Sequence, residues 1–114
     1  MPVSKKLKKL LNKVRNNEYT NEVLDLPNRN IDNDGATMIA NALKKNIHSK
    51  EVNLAHNKIG HEGAEALAQL QLAQLDLSCN EIGPEGVLAL SKARIESLDL
   101  SANSISITNS LDIC

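Results

Sequence analysis

Leu75-Asp76-Leu77-Ser78-Cys79-Asn80-Glu81-Ile82 is the stretch that decides the fold, because close copies recur at Val52-Asn53-Leu54-Ala55-His56-Asn57-Lys58-Ile59 and Leu98-Asp99-Leu100-Ser101-Ala102-Asn103-Ser104-Ile105. A weaker copy runs Leu24-Asp25-Leu26-Pro27-Asn28-Arg29-Asn30-Ile31, so first positions fall at 24, 52, 75 and 98, spaced by 28, 23 and 23 residues. Self-similarity at such a period is the signature of stacked repeats, in which each unit buries its apolar face only against its neighbours.

In each copy two apolar residues flank a polar one, as in a short strand with its leucines on one face. The Asn at 57, 80 and 103 follows the second apolar position by three residues, where the chain must leave the strand and turn. An inward Asn there can hydrogen-bond backbone groups of the bend, and stacking makes a ladder of such amides. The segments Ile59-Gly60-His61-Glu62-Gly63-Ala64 and Ile82-Gly83-Pro84-Glu85-Gly86-Val87, and more loosely Ile31-Asp32-Asn33-Asp34-Gly35-Ala36, each open a helix. Pro84 fits a first helical position, Glu62 and Glu85 sit near the positive end of the helix dipole, and Asp32 or Asn33 can cap. Gly35, Gly63 and Gly86 share one register. Glycine inside a helix costs about 1 kcal/mol relative to Ala, so its recurrence points to close approach of neighbouring backbones. A phosphate loop is not indicated, since neither a Gly-x-x-x-x-Gly-Lys-Ser/Thr nor a Gly-x-Gly-x-x-Gly run exists. Stripes of Ala36, Ile39, Ala40 and Leu43, of Ala64, Leu67, Ala68 and Leu70, and of Val87, Leu88 and Leu90 are expected to face the strands, with helices near 33–46, 62–69 and 84–92. Alternating strands and helices make the sheet parallel.

Ahead of the repeats, Val3, Leu7, Leu10, Leu11 and Val14 share one stripe of a helix over about 4–15, opposite Lys5, Lys6, Lys8, Lys9, Lys13 and Arg15. Residues 1–19 therefore read as a basic amphipathic cap that covers the apolar flank of the first repeat, and 20–114 as a repeat domain of about three and a half repeats. Competing readings of the lysines are an electrostatic contact with an acidic surface, a phosphate backbone or an anionic membrane, and an amphipathic presequence.

The chain of 114 residues has room for one domain, and a formal net charge of −1 argues against wholesale binding to nucleic acid or anionic membrane. No apolar run approaches the roughly 18 residues of a membrane span, and the basic start is followed by an amphipathic rather than a continuously apolar stretch, unlike a secretory signal. Cys79 and Cys114 are too few and too far apart to read as a disulfide framework, which points to a reducing compartment. Cys79 reads as a small packing residue near the turn and Cys114 as a free terminal thiol. Tyr19 is the lone aromatic side chain, so stacking platforms for bases or sugars are absent.

The combination L-x-L-x-x-N-x-I, followed by G-x-E-G and an Ala/Leu helix, resembles the leucine-rich repeats of the ribonuclease-inhibitor-like type over about residues 20 to 105. The resemblance implies an α/β solenoid with a parallel sheet on the concave face and helices on the convex face, used mainly to bind other proteins. Similar repeats occur in innate immune sensors, in stimulators of small GTPases and in bacterial effectors sent into host cells. Three departures stand out. Arg29 occupies the motif Asn position of the first copy and Pro27 ends its strand; the repeats after Leu54 are shorter than usual for the type; and Ser106-Ile107-Thr108-Asn109-Ser110 replaces the expected turn, so the last repeat reads as lacking its helix.

With leucines inward, the outward positions are Val23, Asp25 and Pro27; Glu51, Asn53 and Ala55; Gln74, Asp76 and Ser78; and Ser97, Asp99 and Ser101. Their stacking gives a column of Asp25, Asn53, Asp76 and Asp99, in which Asp76 has no evident structural duty. The candidate protein-binding residues are Asp25, Glu51, Asn53, Gln74, Asp76, Ser78, Ser97 and Asp99, with a solvated strand face as the plain alternative; Asn57, Asn80 and Asn103 form the turn ladder. No residue is assigned to catalysis, because the carboxylates lie on an open surface without a nucleophile–base pair. No metal or other cofactor is expected: His56 and Cys79 share a register, but two ligands fall short of a tetrahedral site, and His48 and His61 read as surface residues. The sequence thus points to a non-enzymatic module that binds another protein, of basic character, through the concave acidic face or the uncapped C-terminal end. The alternatives are a regulator of a small GTPase, a solenoid forming a homodimer through the C-terminal edge with Ile105, Ile107, Leu111 and Ile113, and a bacterial effector acting on a host protein. Its expected location is cytoplasmic, or inside the host cell for an effector.

Overall fold

A computed structural model describes residues 3–103, in the order α1 (Lys5–Arg15), β1 (Val23–Asp25), α2 (Asn33–Leu43), β2 (Glu51–Asn53), α3 (His61–Leu67), β3 (Gln71–Asp76), α4 (Pro84–Ser91) and β4 (Arg94–Asp99). The four strands form one parallel sheet in sequence order, and successive helices pack side by side, α1 on α2, α2 on α3 and α3 on α4. The architecture is the expected short α/β solenoid. The expectations that the last repeat lacks its helix, that Ile105, Ile107, Leu111 and Ile113 form a dimer edge, and that Cys114 is a free thiol concern residues outside those described.

Strand register follows the repeat. Leu24 pairs with Val52, Val52 with Leu75 and Leu75 with Leu98, and the first three of these, with Leu26, Leu54 and Leu77, are buried in one core of Leu, Ile, Val and Ala. On the outermost rung Leu98 and Leu100 are only partly buried. β3 and β4 each span six residues, longer than the three-residue motif segments. In these shorter repeats α3 ends at Leu67, and the chain re-enters the sheet early with Leu72 buried. Leu70 accordingly lies past the end of α3, although it is buried. Leu88 also departs from expectation, being 60% exposed. Val87 and Leu90 are three residues apart and share the inner face, which turns Leu88 outward.

The turns are closed by buried amides. Asn57 Nδ2 donates to the carbonyls of Leu26 and Leu54, both at 3.0 Å, while its Oδ1 accepts from the N–H groups of Arg29 at 2.9 Å and Ile31 at 3.0 Å. Asn80 repeats this one rung on, donating to Leu54 and Leu77 and accepting from Ile59; Asn103 donates to Leu77 and Leu100 and accepts from Ile82. The residues just before the ladder positions, Asn28, His56, Cys79 and Ala102, all have φ between 55° and 57°, the left-handed conformation that reverses the chain.

At all three glycines of the register the tightest contact is with the isoleucine four residues earlier in the same repeat, and at Gly63 and Gly86 an alanine of the preceding helix is close as well. A Cβ on Gly63 would stand 2.7 Å from Ile59 Cγ2 and 2.9 Å from Ala36 Cβ, and one on Gly86 would stand 2.5 Å from Ile82 Cγ2 and 3.2 Å from Ala64 Cβ. Asp32 caps α2 by accepting from Gly35 N at 3.0 Å, whereas Asn33 reaches across to the next rung, its Oδ1 accepting from Gly60 N and Gly63 N.

The first helix starts at Ser4, whose hydroxyl accepts from Leu7 N, and buries Leu7, Leu11 and Val14 against the solenoid. Asn46 fastens it there. Its buried amide donates to the carbonyls of Val14 and Tyr19 and accepts from His48 N and Ser49 N, while Asn17 Oδ1 accepts from Ile47 N.

Two substitutions test these packing rules by urea unfolding. Asn80→Leu strands backbone polar groups in two rungs and is expected to lose about 1–3 kcal/mol. Gly63→Ala gains helix propensity yet overfills the contact with Ile59 and Ala36, so it is expected to destabilise by about 1–3 kcal/mol; a more stable variant would show that the helices can move apart.

Candidate functional site

The side of the sheet facing away from the helices presents two columns. Asp25 pairs with Asn53, Asn53 with Asp76 and Asp76 with Asp99; beside them Val23 pairs with Glu51, Glu51 with Gln74 and Gln74 with Ser97. Asp25, Gln74, Ser97 and Asp99 are exposed, and Glu51, Asn53, Asp76 and Ser78 are half-buried. Ala55 does not belong with these outward groups, because it is only 7% exposed.

Asp76 does have a structural duty, contrary to the sequence reading. Its Oδ1 accepts from Ser78 N at 2.9 Å and Ser78 Oγ at 2.7 Å, and Asp99 accepts from Ser101 N at 3.0 Å and Ser101 Oγ at 2.7 Å. Each carboxylate thereby holds the residue two positions on, where the chain leaves the strand. Asn53 Oδ1 does the same to Ala55 N at 3.0 Å without a charge. Asp25 has no such bond available, since the residue two on is Pro27, which lacks an N–H.

The Ser101 hydroxyl, and after it the Ser101 N–H, hold the Asp99 carboxyl below its ordinary pKa by favouring the charged form. At the N-terminal end of the sheet, Tyr19 Oη donates to the Val23 carbonyl at 2.6 Å. Burial, and after it the negative charge of Asp25, push the Tyr19 pKa up.

His56 and His61 are exposed and His48 is half-buried. Among the described residues the single contact between a basic and an acidic side chain brings His61 Nε2 to 3.8 Å from Glu85 Oε2, an ion pair only when the imidazole is protonated, and no three His, Cys, Asp or Glu side chains are grouped to hold a metal. Cys79 is half-buried and engaged in a disulfide. This corrects its reading as a plain packing residue and removes the cysteine count as an argument for a reducing compartment. Near the strand starts an open groove of about 630 Å³, lined by Lys50, Gln71, Arg94 and Glu96 among others, offers charge but no nucleophile with an adjacent base. Among the described residues no helix is long and apolar enough to cross a membrane.

A family model described as Leucine Rich repeat matches residues 45–68 and 72–91. These intervals contain β2 with α3 and most of β3 with α4, so two of the structural repeats are similar in sequence to leucine-rich repeats. No curated protein matches the chain.

The carboxylate and amide at the same column position separate charge from hydrogen bonding. Asp76→Asn keeps the Oδ1 acceptor and is expected to unfold close to the parent, whereas Asp76→Ala is expected to lose about 0.5–1.5 kcal/mol. For Asp99 the folded pKa is depressed, so its contribution is present above the unfolded value near about 4 and is lost as pH falls through the folded one. The stability gap between the parent and Asp99→Asn is therefore expected to narrow in acid melts; a gap constant with pH would contradict this.

Proposed function

We propose that this chain of leucine-rich repeats is a non-catalytic module that binds another protein through the open, concave acidic face of its sheet. The observation that carries the reading is the in-register column of Asp25, Asn53, Asp76 and Asp99, flanked by Glu51, Gln74, Ser78 and Ser97. Three strand steps make the column about 14 Å long. Carboxylates on neighbouring strands repel, and Asn53 makes the same backbone bond as an amide. The negative charge is therefore more than the fold needs, and a partner with basic side chains would use it.

Leucine-rich repeats in general mediate contacts between proteins, which supports the same reading. The ladder asparagines and the glycine register favour the ribonuclease-inhibitor-like subtype. Acid–base catalysis finds no support in the column, whose members lie on one open face rather than in a cleft with contrasting environments.

Affinity capture from the source cell tests the proposal, with the Asp76→Asn/Asp99→Asn variant beside the parent. The expected result is a protein retained by the parent and reduced about tenfold by the variant, a loss of about 1.4 kcal/mol. Equal retention by both baits would refute the acidic face as the binding surface.

A further inference from the structure

The chain separates its charges. Residues 1–15 carry six basic side chains and no acidic one, and the first acid is Glu18. The remaining sequence holds the other seven Lys and Arg against fourteen Asp and Glu. In α1 the apolar residues Leu7, Leu11 and Val14 are buried against the solenoid, while Lys5, Lys9 and Lys13 are exposed. Among the described residues neither these lysines nor Asp25, Asp76 and Asp99 form an ion pair.

We infer that the basic partner of the open acidic face is the cap helix of a second copy of this chain, an inference that rests on the binding role proposed for that face. The two surfaces match in sign and length. Eleven residues of α1 span about 16 Å, and Lys5, Lys9 and Lys13 form one row in steps of about 6 Å. The acidic column runs for about 14 Å, and lysine side chains are long enough to absorb the difference in spacing. The two surfaces cannot meet within one molecule, because Asn46 and the buried apolar stripe hold α1 against the first repeat. The pairing is therefore heterologous: the cap of one copy meets the face of the next, and assembly grows with concentration.

Other polyanions fit less well. A membrane-surface helix inserts its apolar face, and that of α1 is already buried. A nucleic acid at the cap would also meet the acidic excess of the remaining sequence.

Sedimentation of the full chain tests the inference. At about 50 mM NaCl the average mass is expected to rise with protein concentration, and at about 500 mM to return to the monomer, as screening demands. Asp76→Asn/Asp99→Asn and Lys9→Glu/Lys13→Glu, each with the circular dichroism of the parent, are expected to lower the association constant about tenfold or more. Mixing Lys9→Glu/Lys13→Glu with Asp76→Lys/Asp99→Lys is expected to give a complex of the two unlike chains. A monomer at both salt concentrations, or an association indifferent to salt and to these variants, overturns the inference. So does a monomeric chain whose cap binds phosphatidylserine vesicles or duplex DNA. In a monomeric chain, labelled decalysine then separates the two readings: binding lost in Asp76→Asn/Asp99→Asn leaves the open face a binding surface for a foreign partner, and no binding removes both.

Discussion

The buried amides of Asn57, Asn80 and Asn103 are the contacts on which the rest of the structure depends, because each serves two rungs at once. Each donates to the carbonyl at the end of its own motif and to the equivalent carbonyl one rung earlier, and each accepts an N–H from the turn of that earlier rung. Interior amides must be paired, so a slip of one strand against the next would leave several polar groups stranded together. Register is thereby fixed, and with it the columns of the open face. The helices obey a parallel constraint: Gly63 and Gly86 let the start of each helix approach the alanine of the preceding one, and Asn33 ties α2 to the opening of α3.

Much of this was legible in the repeat itself. Leu75, Leu77 and Ile82 repeat at spacings that only stacked units explain, and Asn80 occupies the point where a chain leaving a strand has polar groups to satisfy. The glycine register was readable because three glycines at one helical position run against propensity. Less legible were contacts whose partners lie in another rung without a repeated signal. Asn46 resembles any loop asparagine, yet it joins the cap to the first repeat; Asn33 is indistinguishable in sequence from an ordinary cap. Leu88 belongs by its apolar character to the stripe of Val87 and Leu90, but helical phase against those two turns it outward.

The open face shows how far a column can be read from sequence. Its members follow from register, but the bonds from Asp76 to Ser78 and from Asp99 to Ser101 did not, because a side chain holding the residue two positions on leaves no periodic trace beyond the Asp-x-Ser spacing. That spacing was available as a signal at both positions. The same residues thus shape the strand exit and supply the charge, and Asn53 marks the part of the job that needs no charge. The opposite charge is gathered on α1, whose shielding of the first rung requires only its apolar stripe.

The amide ladder also imposes an order in time on a chain made from its N-terminus. The turn after β1 receives its side-chain acceptor from Asn57, the turn after β2 from Asn80 and the turn after β3 from Asn103. During synthesis the side-chain acceptor of each bend becomes available only with the asparagine of the next rung, 23 residues further on over the regular part of the array. The newest rung of an emerging chain is therefore the one whose bend still lacks that acceptor.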